Sequence, residues 1–152
     1  MLSYSTTTLK DVVWMGKHLR AADRRELETA SGLVPMRALA RAVALSTFAC
    51  TVRLPDTDDP LYLFGVAPSK TSGRGVIWMA GTDAISASRH RIAKDAPRIL
   101  HILSQPYVNG LHCLVDARNT LHVRWLKRFG FTPNGQQTLN GYTFLEMDYS
   151  LV

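Results

Sequence analysis

Cysteine is scarce: Cys50 and Cys113 are the only two in 152 residues. Two isolated thiols make neither a disulfide framework nor a zinc site. Each is expected to pack as a small apolar side chain in a reducing environment. Long apolar runs are missing too. No stretch reaches the roughly 18 apolar residues that a membrane span needs. The opening "MLSYSTTTLKDVV" lacks the apolar centre of a signal peptide. The expectation is a soluble, intracellular chain, or one assembled from an intracellular pool, with no membrane partner. Acidic residues are outnumbered, 12 against 18 Lys and Arg, for a net charge of +6. That excess fits acidic partners such as phosphates or nucleic acid. Without a dense basic run it fits solubility equally well.

Metal-ligand spacing is absent among the five histidines. His112 and Cys113 are adjacent, so on a strand they point to opposite faces. No nucleophile-elbow motif occurs. No repeat and no low-complexity segment interrupts the chain. What is present is ordinary: 46% apolar and 20% charged residues, in a length that suits one domain spanning 1–152.

"SYSTTT" reads as a short first strand. "LKDVVWMGKHLRAADRRELETASG" follows with near-helical spacing of Val12, Val13, Met15, Leu19 and Leu27. Asp23, with Glu26 three residues on, has the form of a capping box opening a second helical piece. Gly32 stops it, and Pro35 opens "PMRALARAVALS". "FACTVRL" and "LYLFGVA", joined by the turn-rich "PDTDDP", read as a β-hairpin. "SKTSGRG" is a loop, and "VIWMAG" a buried strand. "SASRHRIAKDAPRILHILSQ" is helical, with Ile92, Ile99, Leu100, Ile102 and Leu103 as its apolar face. Pro97 inside it predicts a kink or a late start. "LHCLVDA" is a strand, a helix follows, and "YTFLEMDYSLV" closes as a strand. The order β, α, α, β, β, β, α, β, α, β predicts a mixed α/β (α+β) fold. Its sheet is mostly antiparallel, with helices flanking a β-α-β-α half. The β-α-β part should be parallel and right-handed.

The helix in "DARNTLHVRWLKRFGF" carries the most information. Asn119 is placed to cap it. His122, Trp125, Leu126 and Phe129 share one face at i, i+3, i+4 and i+7. Lys127 and Arg128 suit the dipole at its end, and Gly130 suits the position that terminates it. Arg118, Arg124, Lys127 and Arg128 form a candidate basic contact patch, joined by Arg89 and Arg91 if the two helices lie side by side. "SGRG", 72–75, precedes its strand, so it reads as a hairpin connection and not a phosphate loop.

A strand, then Asn119, then Gly130-Phe131, then a strand resembles the second half of the GNAT N-acetyltransferase fold. The order of elements along the whole chain is similar to that fold as well. The resemblance implies an acetyl-CoA cleft, with Asn119, Ser88 and Arg89 as the residues that would hold the cofactor. Two departures count against catalysis. The tyrosine that protonates the coenzyme A thiolate in that superfamily falls at Leu126, which has no proton to give. The glycine-rich pyrophosphate loop is replaced by "GTDAISASRHRIAKD", which has no glycine after Gly81 and carries Asp83. His122 stands where that superfamily has a small residue, as either a base or a plug. No catalytic residue is assigned on this reading, and no metal.

The chain is also similar to a narrower group, the GNAT-like proteins of short-tailed phages related to a small internal virion protein. "LRAADRRELETASG", "FGVAP", "WMAGTDAI" and "NTLHVRWLKRFGF" carry this likeness. It implies a bacteriophage structural or assembly protein on a degenerate acetyltransferase-like fold, without acetyl transfer. Its expected partners are other phage structural proteins and packaged DNA, the latter contacted by the basic patch. An oligomer and a place in the virion or the host cytoplasm belong to the same expectation. The alternative is an active acetyl-CoA-dependent N-acetyltransferase acting on a protein or a small amine.

Overall fold

The computed structural model describes residues 1–71 and 73–150. Among them the chain runs β1 (Ser3–Thr6), α1 (Leu9–His18), α2 (Ala21–Ser31), α3 (Pro35–Leu45), β2 (Phe48–Arg53), β3 (Pro60–Pro68) and β4 (Gly75–Gly81). A short 3-10 turn, Asp83–Ile85, leads to α4 (Arg89–Ser104), β5 (Leu111–Asp116), α5 (Thr120–Arg128), β6 (Thr132–Leu139) and β7 (Tyr142–Tyr149). One seven-stranded sheet has the order β1-β2-β3-β4-β5-β7-β6. Every neighbouring pair is antiparallel except β4 and β5. The expected mixed sheet with a parallel β-α-β unit is what forms.

Alternation along β3 sorts the helices onto two faces. Leu63 packs with Val12 and Met15 of α1 and Leu39 of α3. Tyr62, Phe64 and Val66 pack with Ile92, Leu100 and Leu103 of α4. Leu39, Leu63 and Met15 are fully buried, each contributing about 1.5–3 kcal/mol of transfer free energy.

Several local expectations are corrected. The expected second helical piece begins at Ala21, ahead of Asp23, because the chain is extended at Leu19 and Arg20. The capping box sits at α1: Thr8 Oγ1 accepts from the Asp11 N–H, and Asp11 Oδ2 from the Thr8 N–H, each at 3.2 Å. Asp23 caps nothing. It lies inside the first turn of α2, whose N-cap is Arg20. Gly32 does end α2, at φ 70°, with its N–H bonded to Glu28 O. α4 starts at Arg89 and continues through Pro97, so the start is not late. Ile102 is 53% exposed and leaves the apolar face assigned to it. β6, "TPNGQQTL", carries no apolar alternation and is exposed along nearly all its length. Its one strand neighbour is β7. Residues 69–74 join two antiparallel strands, so "SGRG" belongs to a hairpin connection, of which Ser72 lies outside the described residues, as do Leu151 and Val152 of the closing segment.

Candidate active site

β4 and β5 pair only at Gly75↔Leu111 and Val76↔His112. Beyond that point β4 stays bonded to β3 through Gly81, and β5 stays bonded to β7 through Asp116. The two strands therefore part, and the sheet is split from Ile77 onward. A cavity of about 390 Å³ occupies the split. Its wall includes Ile77 and Met79 of β4, Cys113 and Val115 of β5, Ile92 and Leu100 of α4, and Leu27 and Ala42 of α2 and α3. Because α3 and α4 cover opposite faces, the cavity reaches through the sheet. Its lining is overwhelmingly apolar, as small-molecule sites usually are.

Polar groups gather where α2 meets the open end of this cleft. Glu26 and His122 both line it. Glu26 Oε1 accepts from the Asp116 N–H at 2.8 Å and from Asn119 Nδ2 at 3.5 Å. Glu26 Oε2 stands 3.9 Å from His122 Nδ1. Burial pushes the Glu26 carboxyl up to about 8, and the charges of Asp23 and Asp116 add to this against the pull of its two hydrogen bonds. Burial pushes the His122 imidazole down, with Arg20 helping and Asp23 opposing. At neutral pH the pair is thus a protonated acid beside a neutral imidazole. Asp23, 1% exposed, accepts from Arg20 at 2.5 Å, Asn119 Nδ2 at 3.0 Å and the Gly81 N–H at 2.8 Å. His122 Nε2 lies 3.3 Å from Asp23 Oδ1, out of line for a hydrogen bond, and has no partner.

The helix-face expectation for His122, Trp125, Leu126 and Phe129 matches the structure: all four line the cleft. Asn119 does not cap α5 through its side chain. It is fully buried, and its side-chain amide bonds Arg20, Asp23 and Glu26. Ser88 is buried and its side chain makes no cap bond, while Arg89 is exposed and bonds Ser86 O at 3.0 Å. Arg118, the first residue of the expected basic patch, is half-buried and engaged within the chain. It pairs with Asp116 through Nε at 3.0 Å and Nη2 at 2.6 Å, and lies 3.6 Å over the Tyr142 ring. Arg124, Lys127 and Arg128 are exposed, as is Arg91. Cys113 is a wall residue whose thiol burial pushes up to about 12, which makes it an inert apolar group.

Glu26 is the residue that the sequence reading placed in the wrong role, as half of a capping box. The usable signal was its spacing from Asp23: at i and i+3, both acids sit on one face of α2. Among the described residues no cluster of His, Cys, Asp or Glu could hold a metal ion, and no helix is long and apolar enough to cross a membrane.

No protein-family model matches this sequence, and no curated protein does. Solved structures do. AAC(6')-Ib in complex with ribostamycin and coenzyme A superposes with a TM-score of 0.72 at 12% identity, covering 99% of this chain and 93% of that one. The aminoglycoside acetyltransferase AAC(6')-Ib with coenzyme A and kanamycin gives 0.68 at 14% identity, covering 99% and 95%. An acetyltransferase of the GNAT family from Streptococcus pneumoniae gives 0.64 at 11% identity, covering 99% and 100%. These likenesses establish the fold as that of GNAT acetyltransferases. None bears on a virion, a phage partner or a cellular location.

Proposed function

We propose that the chain is an acetyl-CoA-dependent N-acetyltransferase, against the assembly role the sequence favoured. The observation that carries this reading is the split between β4 and β5, with the Glu26–His122 pair on its wall. The parted strand edges offer backbone N–H and C=O groups beside an apolar channel, which suits an extended chain bearing amides and an acyl end. Phosphate contacts fit less completely. The Ile85 and Ser88 amides are spent on Thr82 O and Ile85 O. The exposed Arg89 and Arg91 at the start of α4 are the groups that would meet phosphates.

Acetyl-CoA, when bound, would supply an acetyl group activated as a thioester, whose transfer to an amine needs one proton taken from nitrogen and one given to sulfur. The neutral imidazole of His122, a cleft-lining residue, takes the first at Nδ1. Glu26, still protonated at pH 7, gives the second. Nδ1 and Oε2 stand 3.9 Å apart, so the proton on His122 returns to Glu26 through one bridging water or after a small side-chain rotation that closes the pair to hydrogen-bond reach. An acid and a base whose environments hold both neutral is the arrangement that proton transfer in both directions requires. Glu26 therefore supplies the proton that Leu126 lacks. The test is thiol release from acetyl-CoA with a panel of primary amines. Wild type should turn over, and Glu26→Gln and His122→Gln should each lose about a hundredfold in kcat. No release above the uncatalysed rate with any amine would overturn the reading.

A further inference from the structure

The open end of the cleft is closed by one side chain. β4 and β5 hold each other only at the Gly75 and Val76 end, so something else must fix their separation at the other. Asp23 Oδ2 accepts from the Gly81 N–H at the end of β4, and Asp23 Oδ1 accepts from Asn119 Nδ2 just beyond β5. Arg20 reinforces the same bridge. Its N–H donates to Gly81 O at 2.9 Å, and its guanidinium reaches both Asp23 Oδ1 and Asn119 Oδ1. The first turn of α2 thus spans the split. The same Oδ1 stands 3.3 Å from His122 Nε2, the one buried side-chain nitrogen or oxygen among the described residues without a hydrogen-bond partner. A buried donor with a carboxylate within reach but out of line is a contact that tightens when the imidazole gains charge.

We propose that Asp23 is a positioning residue: it clasps the open end of the β4–β5 cleft and keeps the His122 proton on Nε2, leaving Nδ1 free to work with Glu26 and the incoming amine. This rests on the acetyltransferase reading for its function, though not for its geometry. The charged groups acting on His122 are Asp23 and Arg20, with Glu26 facing its Nδ1; Asp116 at the end of β5 acts on Glu26, and His112 and Cys113 of β5 line the same cavity. The walls contributed by β4 and α4 are apolar at the cleft.

Nuclear magnetic resonance on the free protein tests the clasp without any cofactor. The His122 signals are assigned by their loss in His122→Gln. Wild type should show the Nε2–H tautomer; an Nδ1–H tautomer overturns the proposal. Asp23→Asn should move the His122 titration to lower pH, and Arg20→Met should move it to higher pH. A purely structural role would not split the two variants in opposite directions, so equal or absent shifts also overturn it. Should Asp23→Asn fail to fold, the wild-type tautomer and Arg20→Met still decide. In turnover, Asp23→Asn should lower kcat by about a hundredfold with KM for acetyl-CoA little changed, and an unchanged kcat refutes the positioning role. Absence of turnover in wild type alongside the predicted tautomer and shifts would leave the clasp standing and remove the acetyltransferase reading.

Discussion

Glu26 should make this protein less stable in mild alkali, and Glu26→Gln should remove the effect. The carboxyl is held at about 8 in the folded chain against 4.5 for a free glutamate. Its folded pKa is raised, so its stabilising contribution is complete below the unfolded pKa and is lost as pH rises through the folded one. At about 1.4 kcal/mol for each tenfold change in proton affinity, the full swing is on the order of 5 kcal/mol. The side chain keeps 15% of its exposure, and partial hydration lowers the expected loss to about 2–4 kcal/mol. The assay is urea unfolding of wild type and Glu26→Gln at intervals from pH 5 to pH 9. The difference between the two proteins isolates Glu26. His122, whose folded pKa is lowered, loses its contribution as pH falls below about 6.5, at the acid end of this window, and taking the difference between the two proteins, both of which carry His122, cancels it. Glu26→Gln should be the more stable protein at pH 9 relative to its position at pH 5. Parallel curves for the two proteins across the range would refute the buried, protonated acid.

The same pair predicts a bell-shaped dependence of kcat/KM on pH, with an alkaline limb near 8 from Glu26 and an acid limb below the ordinary histidine range from His122. Glu26→Gln should abolish the alkaline limb in whatever activity remains, and a limb that persists would assign it elsewhere. Trp125→Ala should destabilise by about 3 kcal/mol in chemical denaturation, the low end for a buried aromatic, because one side of the ring borders the cleft. A change under about half a kcal/mol would contradict its burial. Leu126→Trp, which places a larger ring on the cleft wall, should weaken acetyl-CoA binding at least tenfold by calorimetry while leaving the folded spectrum intact. Unchanged affinity would put the ligand somewhere else.

The sequence was most readable where periodicity and turn chemistry agreed. The hairpin of β2 and β3, the glycine stop at Gly32, and the cleft-facing set on α5 all follow from spacing. β6 was not readable, because an exposed edge strand paired on one side needs no apolar alternation. The break between α1 and α2 was placed a few residues late, at Asp23, because Leu19 and Arg20 carry no glycine or proline. Their extended backbone is set by the Arg20 bridge to Gly81, a contact 61 positions away in the chain. The site failed for the same kind of reason. Asp23, Glu26, Asn119 and His122 each had a sufficient local explanation as cap or core. Their joint role appears only when α2 is laid across the split end of the sheet. Leu126 and the missing glycines were read as departures from the acetyltransferase pattern, but a lost acid on one helix does not exclude another acid arriving from α2.

The account's central claim is that the β4–β5 cleft takes an acyl thioester beside Glu26 and His122. Titration calorimetry with acetyl-CoA tests it most directly. The prediction is saturable one-to-one binding at micromolar levels, weakened by Leu126→Trp. Absence of heat and of any saturable signal with the folded wild-type chain would contradict it.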